Sequence, residues 1–236
     1  MCTLERRGDL FLLTLTGDTK KDQEHRLSPQ LISSIRSALA EVKSQAVNGS
    51  ALVTLAQGRF FSNGFDLRHA QAVGVKSGSS QAAVAELLRM VDLFKGVVAD
   101  LLSLPMPTIA AVNGHAAAAG LILAMGHDYV MMTLSRGVMY MSELDIGMTL
   151  PDYFTALIRA KVGSAGARRE LVLLAAKVGR RGQWRWGSWT RRTAAWRRWW
   201  MLRCVWRRSW GRGGGAEKRM PRLGSLCTRR FVGCWG

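Results

Sequence analysis

The sequence predicts an α/β domain over residues 1–178. Three observations point to it. Strand-like and helix-like segments alternate along this stretch. Gly, Pro or Asn punctuates them. Charge is nearly balanced, with 17 Lys/Arg against 15 Asp/Glu in residues 1–176. Residues 179–236 have a different composition. All nine Trp lie between Trp184 and Trp235, and residues 177–236 hold 17 Lys/Arg against one acid, Glu217. The net charge of +18 is therefore +2 from residues 1–176 and +16 from the rest.

The elements follow in order. Asp9–Thr16 (DLFLLTLT) reads as a strand, rich in Phe, Leu and Thr and ended by Gly17. Ser28-Pro29 opens a helix, with Ser28 as cap and Pro29 in the first helical position. Its apolar residues Leu31, Ile32, Ile35, Ala38, Leu39 and Val42 recur at helical spacing, and Gly49 ends the region. Ala51–Leu55 is a short buried strand. Gly58–Leu67 is a strand running into a tight turn. Val73–Ser80, with Gly and Ser, reads as a loop. A long helix from Ala82 to Leu104 is closed by Pro105 and Pro107. Thr108–Val112 is a strand, Ala116–Ala124 a small-residue helix, and Asp128–Thr133 and Val138–Met141 are strands. Pro151–Val162 and Ala165–Lys177 are helices, and no internal repeat is visible.

Several classes are disfavoured. The four cysteines, Cys2, Cys204, Cys227 and Cys234, form no CxxC, so neither a disulfide framework nor a zinc site is expected. The N-terminus lacks the long apolar run of a signal peptide. Ala116–Ala124 is too short to span a bilayer. A soluble intracellular protein is the expectation. The balanced domain predicts no strong nucleic-acid affinity. Residues 179–236 could contact nucleic acid or anionic membrane nonspecifically by counterion release.

Two glycine-bearing segments carry the chemistry: Phe61-Ser62-Asn63-Gly64-Phe65-Asp66 and Asn113-Gly114-His115-Ala116-Ala117-Ala118-Ala119-Gly120. Each can expose backbone N–H groups, and two such donors together make an oxyanion hole. The competing reading of the second is close helix packing without a ligand. Neither has the spacing of a dinucleotide site or a P-loop.

With FFSNGFDL at 60–67, PTIAAVNGHAAAAG at 107–120, HDYVMM at 127–132 and SELDIG at 142–147, the chain resembles the crotonase (enoyl-CoA hydratase/isomerase) superfamily. It is similar above all to the plant peroxisomal Δ3,Δ2-enoyl-CoA isomerases, from Met1 to about Val178. The resemblance implies a spiral of ββα units, truncated here at the C-terminal helical region, and usually a trimer. It implies an acyl-CoA thioester substrate, with CoA part of the substrate and no separate cofactor or metal. It puts the oxyanion-hole donors on the N–H groups of Asn63 and Ala119. Gly64 and Gly120 shape the turns, and substrate contacts fall on Gly64, Phe65, Asp66 and Gly120. Asp66 and Asp128 are expected to hold backbone contacts more than to do chemistry.

The resemblance also implies Glu143 as the general base. One glutamate can take a proton from C2 and return it to C4. Hydratases of the family use a second glutamate, and its position here is Ile122, which favours isomerase over the alternative of hydratase. Asp152 is the fallback base, against a plain role as an acid at a helix start. Asp145 could raise the Glu143 pKa if both faced one pocket. His115 is read as pocket-lining or structural, and His25 and His127 lack metal or nucleophile spacing. Ser62 has no GxSxG context. Met131, Met132, Met139 and Met141 read as core or acyl-pocket lining.

Residues 179–236 show no period that separates an apolar from a charged face, although Arg192–Trp206 could form an amphipathic surface helix. A reading-frame shift accounts for them more simply. Gln183–Thr193, given GC-rich codons and read one base earlier, becomes AVAMGVVDAAH, which resembles the family's continuation. On that reading the family's closing helices and its C-terminal peroxisomal tripeptide are missing, since the chain ends Cys234-Trp235-Gly236. Peroxisomal placement follows from the resemblance and cytoplasmic placement from the missing tripeptide. A third reading is an inactive crotonase-like chain with a polyanion-binding tail.

Overall fold

The computed structural model describes residues 1–17, 24–132 and 137–179. The tail after Gly179, with the readings made for it above, lies outside the described residues.

Among the described residues, eight strands sort into two sheets. They are β1 (Cys2–Arg7), β2 (Leu10–Leu15), β3 (Ala51–Ala56), β4 (Phe60–Ser62), β5 (Thr108–Val112), β6 (His115–Ala117), β7 (Tyr129–Met132) and β8 (Met139–Tyr140). The larger sheet has the order β1-β2-β3-β5-β7 and the smaller one β4-β6-β8. Among the pairings of these strands β1–β2 is antiparallel and the others are parallel; an isolated antiparallel bridge joins Met139 to Val178. From β3 onward, successive strands alternate between the sheets. Each pair gives one strand to each sheet before the chain turns into helix. This is a spiral of ββα units. The repeat is in the backbone path and not in the residues, which is why no repeat is visible in the sequence.

Among the described residues, six helices complete the units: α1 (Pro29–Ser44), α2 (Leu67–Ser77), α3 (Ser80–Leu102), α4 (Ala119–Met125), α5 (Asp152–Lys161) and α6 (Ala165–Val172). Helix α1 starts where expected. The Ser28 side chain accepts from the Leu31 N–H at 3.2 Å, and all six periodic apolar residues are buried. Such a cap is worth about 1 kcal/mol. The core joins the inner faces of β2, β3 and β5 to α1, α3 and α4, through Phe11, Leu13, Leu52, Ile35, Phe94 and Leu123.

Three expectations are corrected and one strand is added. Val73–Ser80 is not a loop; most of it lies in α2. Asp66 caps α2, accepting from the His69 N–H at 3.1 Å, and left-handed Gly78 closes it. Gly74 is there for packing: a Cβ on it would sit 2.7 Å from the Ala83 Cβ. The segment expected as one helix over Ala116–Ala124 splits into β6, a bend at Ala118, and α4. Helix α6 stops at Val172, short of Lys177. Strand β1 was not expected, because CTLERR carries too many charges; it is an edge strand, where charge is tolerated. No described helix is long and apolar enough to cross a membrane.

Candidate active site at the edge of the small sheet

The three strands β4, β6 and β8 run parallel, with Phe60 beside His115, Ser62 beside Ala116, and Ala117 beside Tyr140. Their C-terminal ends therefore face one edge. Immediately beyond them lie Asn63-Gly64, Ala118-Ala119-Gly120 and Met141-Ser142-Glu143. The fold thus gathers at one edge the two expected N–H donors and the expected base.

Two glycines let the first two segments touch. A Cβ on Gly64 would stand 2.9 Å from the Ala118 Cβ and 3.5 Å from the Ala119 N, and Gly64 has φ +77°. A Cβ on Gly120 would collide with the Ser62 carbonyl. Between them Ala118 is bent into φ 53°, ψ −129°, a conformation usually left to glycine. The Ala118 N–H donates to the Tyr140 carbonyl at 2.9 Å and holds the bend. Ala119 is then the first residue of α4, so its N–H precedes the first helical hydrogen bond, and no side chain caps it. The bend carries no sequence signal, because alanine stands where glycine would announce it.

Asn63 differs. Its N–H donates to the Glu24 carbonyl at 2.8 Å, and its side-chain Nδ2 donates to Glu24 Oε2 at 3.3 Å. Glu24 was not singled out in the sequence; 39 residues separate the two.

Glu143 precedes a short 3-10 helix, Leu144–Ile146. Only 6% of it is exposed, and it is the only acid among the buried described residues. Its Oε2 accepts the Ser142 N–H at 3.0 Å. No ion pair to it is present among the described residues. Burial pushes its pKa up, partly offset by the N–H groups of Glu143 and Ser142. Asp145 is exposed on the turn while Glu143 is buried, so the two do not share a face. Asp152 is exposed at the start of α5.

The other candidates have structural settings. Phe65 is nearly buried, edge-on to Phe94 at 5.6 Å and stacked on Phe154 at 6.4 Å. Asp66 caps α2. Asp128 Oδ2 accepts from the Thr108 N–H at 2.8 Å and the Thr108 hydroxyl at 2.9 Å. His115 packs on Phe60 at 5.1 Å. His25 Nδ1 lies 3.0 Å from the Phe60 carbonyl. His127 is fully buried: its Nδ1 donates to the Leu123 carbonyl at 2.9 Å, and its Nε2 is 2.8 Å from the Thr54 hydroxyl. Met139 and Met141 are buried, whereas Met131 and Met132 are half-buried. No group of three or more His, Cys, Asp or Glu suited to a metal occurs among the described residues. A groove of about 440 Å³ lies between α1 and α3, lined by residues such as Ile32, Leu39, Arg36 and Asp100. None of its lining residues belongs to the small-sheet edge. The edge, in contrast, holds the buried carboxylate beside the expected backbone donors.

The sequence profile of the enoyl-CoA hydratase/isomerase family matches residues 19–190. The chain belongs to that family. It is similar to the Arabidopsis thaliana protein enoyl-CoA delta isomerase 2, peroxisomal, with 61% identity over 178 residues, covering 75% of this chain and 71% of that one. Enoyl-CoA delta isomerase 1, peroxisomal, of the same organism is 51% identical over 179 residues, covering 75% and 69%. Among solved structures, the apo Mtb enoyl-CoA isomerase has a TM-score of 0.62 at 24% identity, covering 75% of this chain and 69% of that one. An enoyl-CoA hydratase from Mycobacterium avium subsp. paratuberculosis K-10 also has a TM-score of 0.62, at 20% identity, covering 80% and 66%. At these identities the structural likeness speaks for the fold, which is the crotonase-like ββα spiral.

Proposed function

We propose that residues 1–178 carry a Δ3,Δ2-enoyl-CoA isomerase, acting on 3-enoyl-CoA thioesters of fatty-acid β-oxidation. The observation that carries the reading is the convergence of Asn63, Ala119 and the buried Glu143 at one sheet edge. Glu143 takes a proton from C2. The electron pair moves onto the thioester oxygen, where the Ala119 N–H at the start of α4 stabilises it; the Asn63 N–H, the other donor expected from the sequence, is taken by the Glu24 carbonyl. The protonated carboxyl then returns the proton to C4, leaving the trans-2-enoyl thioester. One oxyanion donor is typically worth about 3 kcal/mol of barrier. A carboxylate with a raised pKa is a better base near neutral pH. Gly64 and Gly120 keep the donor turns in contact.

Isomerase is favoured over hydratase by Ile122. It is fully buried on α4 and can neither accept a proton nor orient a water. The similarity to delta isomerases named as peroxisomal supports the same chemistry and placement here. The experiment is product analysis. The full chain, given 3-hexenoyl-CoA, is expected to form 2-hexenoyl-CoA. Formation of 3-hydroxyacyl-CoA from 2-hexenoyl-CoA at a comparable rate would move the assignment to hydratase.

A further inference from the structure

We propose that the Ala118 methyl is a spacer that sets the width of the thioester seat between the Gly64 turn and the first residue of α4. Ala118 is a positioning residue and touches no reacting atom. The proposal rests on the Ala119 N–H being a donor to the thioester oxygen.

The backbone at Ala118 is bent against the preference of its own side chain. Its φ of 53° and ψ of −129° are those of the first central residue of a type II′ turn, where glycine is the ordinary occupant. An L-residue held there costs stability and persists only where its surroundings over-determine it. Those surroundings are present. The Ala118 N–H donates to the Tyr140 carbonyl at 2.9 Å, and the Ala118 carbonyl accepts from the Leu121 N–H at 2.9 Å and the Ile122 N–H at 3.3 Å. The same stretch uses glycine where a Cβ would collide, at Gly114 against the Arg59 carbonyl and at Gly120 against the Ser62 carbonyl. At position 118, where the backbone favours glycine, it carries a methyl instead.

That methyl has a place to act. Ala118 is half-buried, whereas every other residue from Ala116 to Met125 is buried. A Cβ on Gly64 would stand 2.9 Å from the Ala118 Cβ and 3.5 Å from the Ala119 N. The two turns therefore meet across one methyl, and it comes from the α4 side. Glycine at 118 would relax the bend and let the Gly64 turn close towards the Ala119 N–H. A shift of about 1 Å at a reacting group can cost a hundredfold in rate. The stability lost in the bend is thus exchanged for a seat of fixed width.

Ala118→Gly and Ala118→Ser in the full chain test the spacer. Glycine should raise the melting temperature by about 4 °C, because the strain is released. It should also lower kcat for 3-hexenoyl-CoA by about tenfold, with KM within twofold. Serine keeps the Cβ, so its melting temperature and kcat should stay near those of the unaltered chain. Hexanoyl-CoA labelled with carbon-13 at the thioester carbonyl gives a readout free of turnover. Its infrared carbonyl band should move to lower frequency on binding to the unaltered chain. That displacement should shrink by at least half in Ala118→Gly and return in Ala118→Ser. An equal displacement in all three chains leaves the Ala119 donor standing and overturns the spacer. A melting temperature that does not rise in Ala118→Gly overturns it too, as does an equal loss of displacement in Ala118→Ser. A band that stays at its solution position in the unaltered chain removes the Ala119 donor itself, and the spacer falls with it.

Discussion

Glu143 and His127 are both buried ionisable residues, and they are buried in opposite ways. His127, just after α4, is fully satisfied. One ring nitrogen donates to the Leu123 carbonyl, the other takes the Thr54 hydroxyl, and the Lys161 ammonium donates to its carbonyl at 3.1 Å. Burial, helped by the Lys161 charge, outweighs the backbone hydrogen bonds and the nearby Asp128 and pulls its pKa down to about 4, so the ring is neutral and serves as a packing piece. Glu143, at the end of β8, has a backbone N–H on one oxygen and no counter-charge among the described residues. A buried carboxylate left in that state is costly for stability and useful for moving protons. Burial alone does not mark a candidate base; what singles out Glu143 as the proposed one is burial combined with unmet hydrogen-bonding capacity beyond a strand end.

The largest expected effect follows from that contrast. Glu143→Gln should lower isomerase turnover by about two orders of magnitude or more, the usual worth of a positioned acid-base group, with no loss of thermal stability. Turnover within tenfold of the unaltered chain would remove Glu143 from the role and promote Asp152. His127→Gln should do the reverse. It should destabilise by about 2 kcal/mol in denaturant unfolding, through the lost Thr54 and Leu123 bonds, while the folded fraction keeps its turnover.

Acid should separate the pair. The folded pKa of His127 is lowered, so between about pH 6.5 and 4 the unfolded chain binds a proton that the folded chain refuses. The stability it contributes is present above 6.5 and is lost as pH falls, by roughly 3 kcal/mol over the window. Glu143 has a raised folded pKa and works oppositely, costing stability as pH rises through it. Melting in His127→Gln should therefore depend less steeply on pH from 6.5 to 4. An unchanged slope would mean that other groups set the acid limit. The smallest effect is expected for Asp152→Asn, under twofold in kcat/KM, because Asp152 is exposed at a helix start.

The same contrast marks what the residues alone could reveal. Ser28-Pro29 and the spacing from Leu31 to Val42 identify α1 because a cap and a period are local properties. The motif segments identify the residues of the small-sheet edge because family resemblance is carried by those residues. The division into two sheets is not legible, since β4, β6 and β8 pair across more than twenty residues each time. Gly74 reads as a loop former until α3 is seen packed against it. The Ala118 bend is invisible because its positive φ is imposed by Tyr140 and Gly64. Glu24 looks like any surface acid until the fold brings its carbonyl to Asn63.

The most direct test of the account is the pH dependence of kcat/KM for 3-hexenoyl-CoA in the full chain, with folding followed by intrinsic fluorescence at each pH. The account predicts an acid limb governed by one group with a pKa above the ordinary glutamate value, within the range where the chain stays folded. A rate that stays flat down to the ordinary glutamate pKa, or that falls only where the fold is lost, would contradict a desolvated Glu143 as the base.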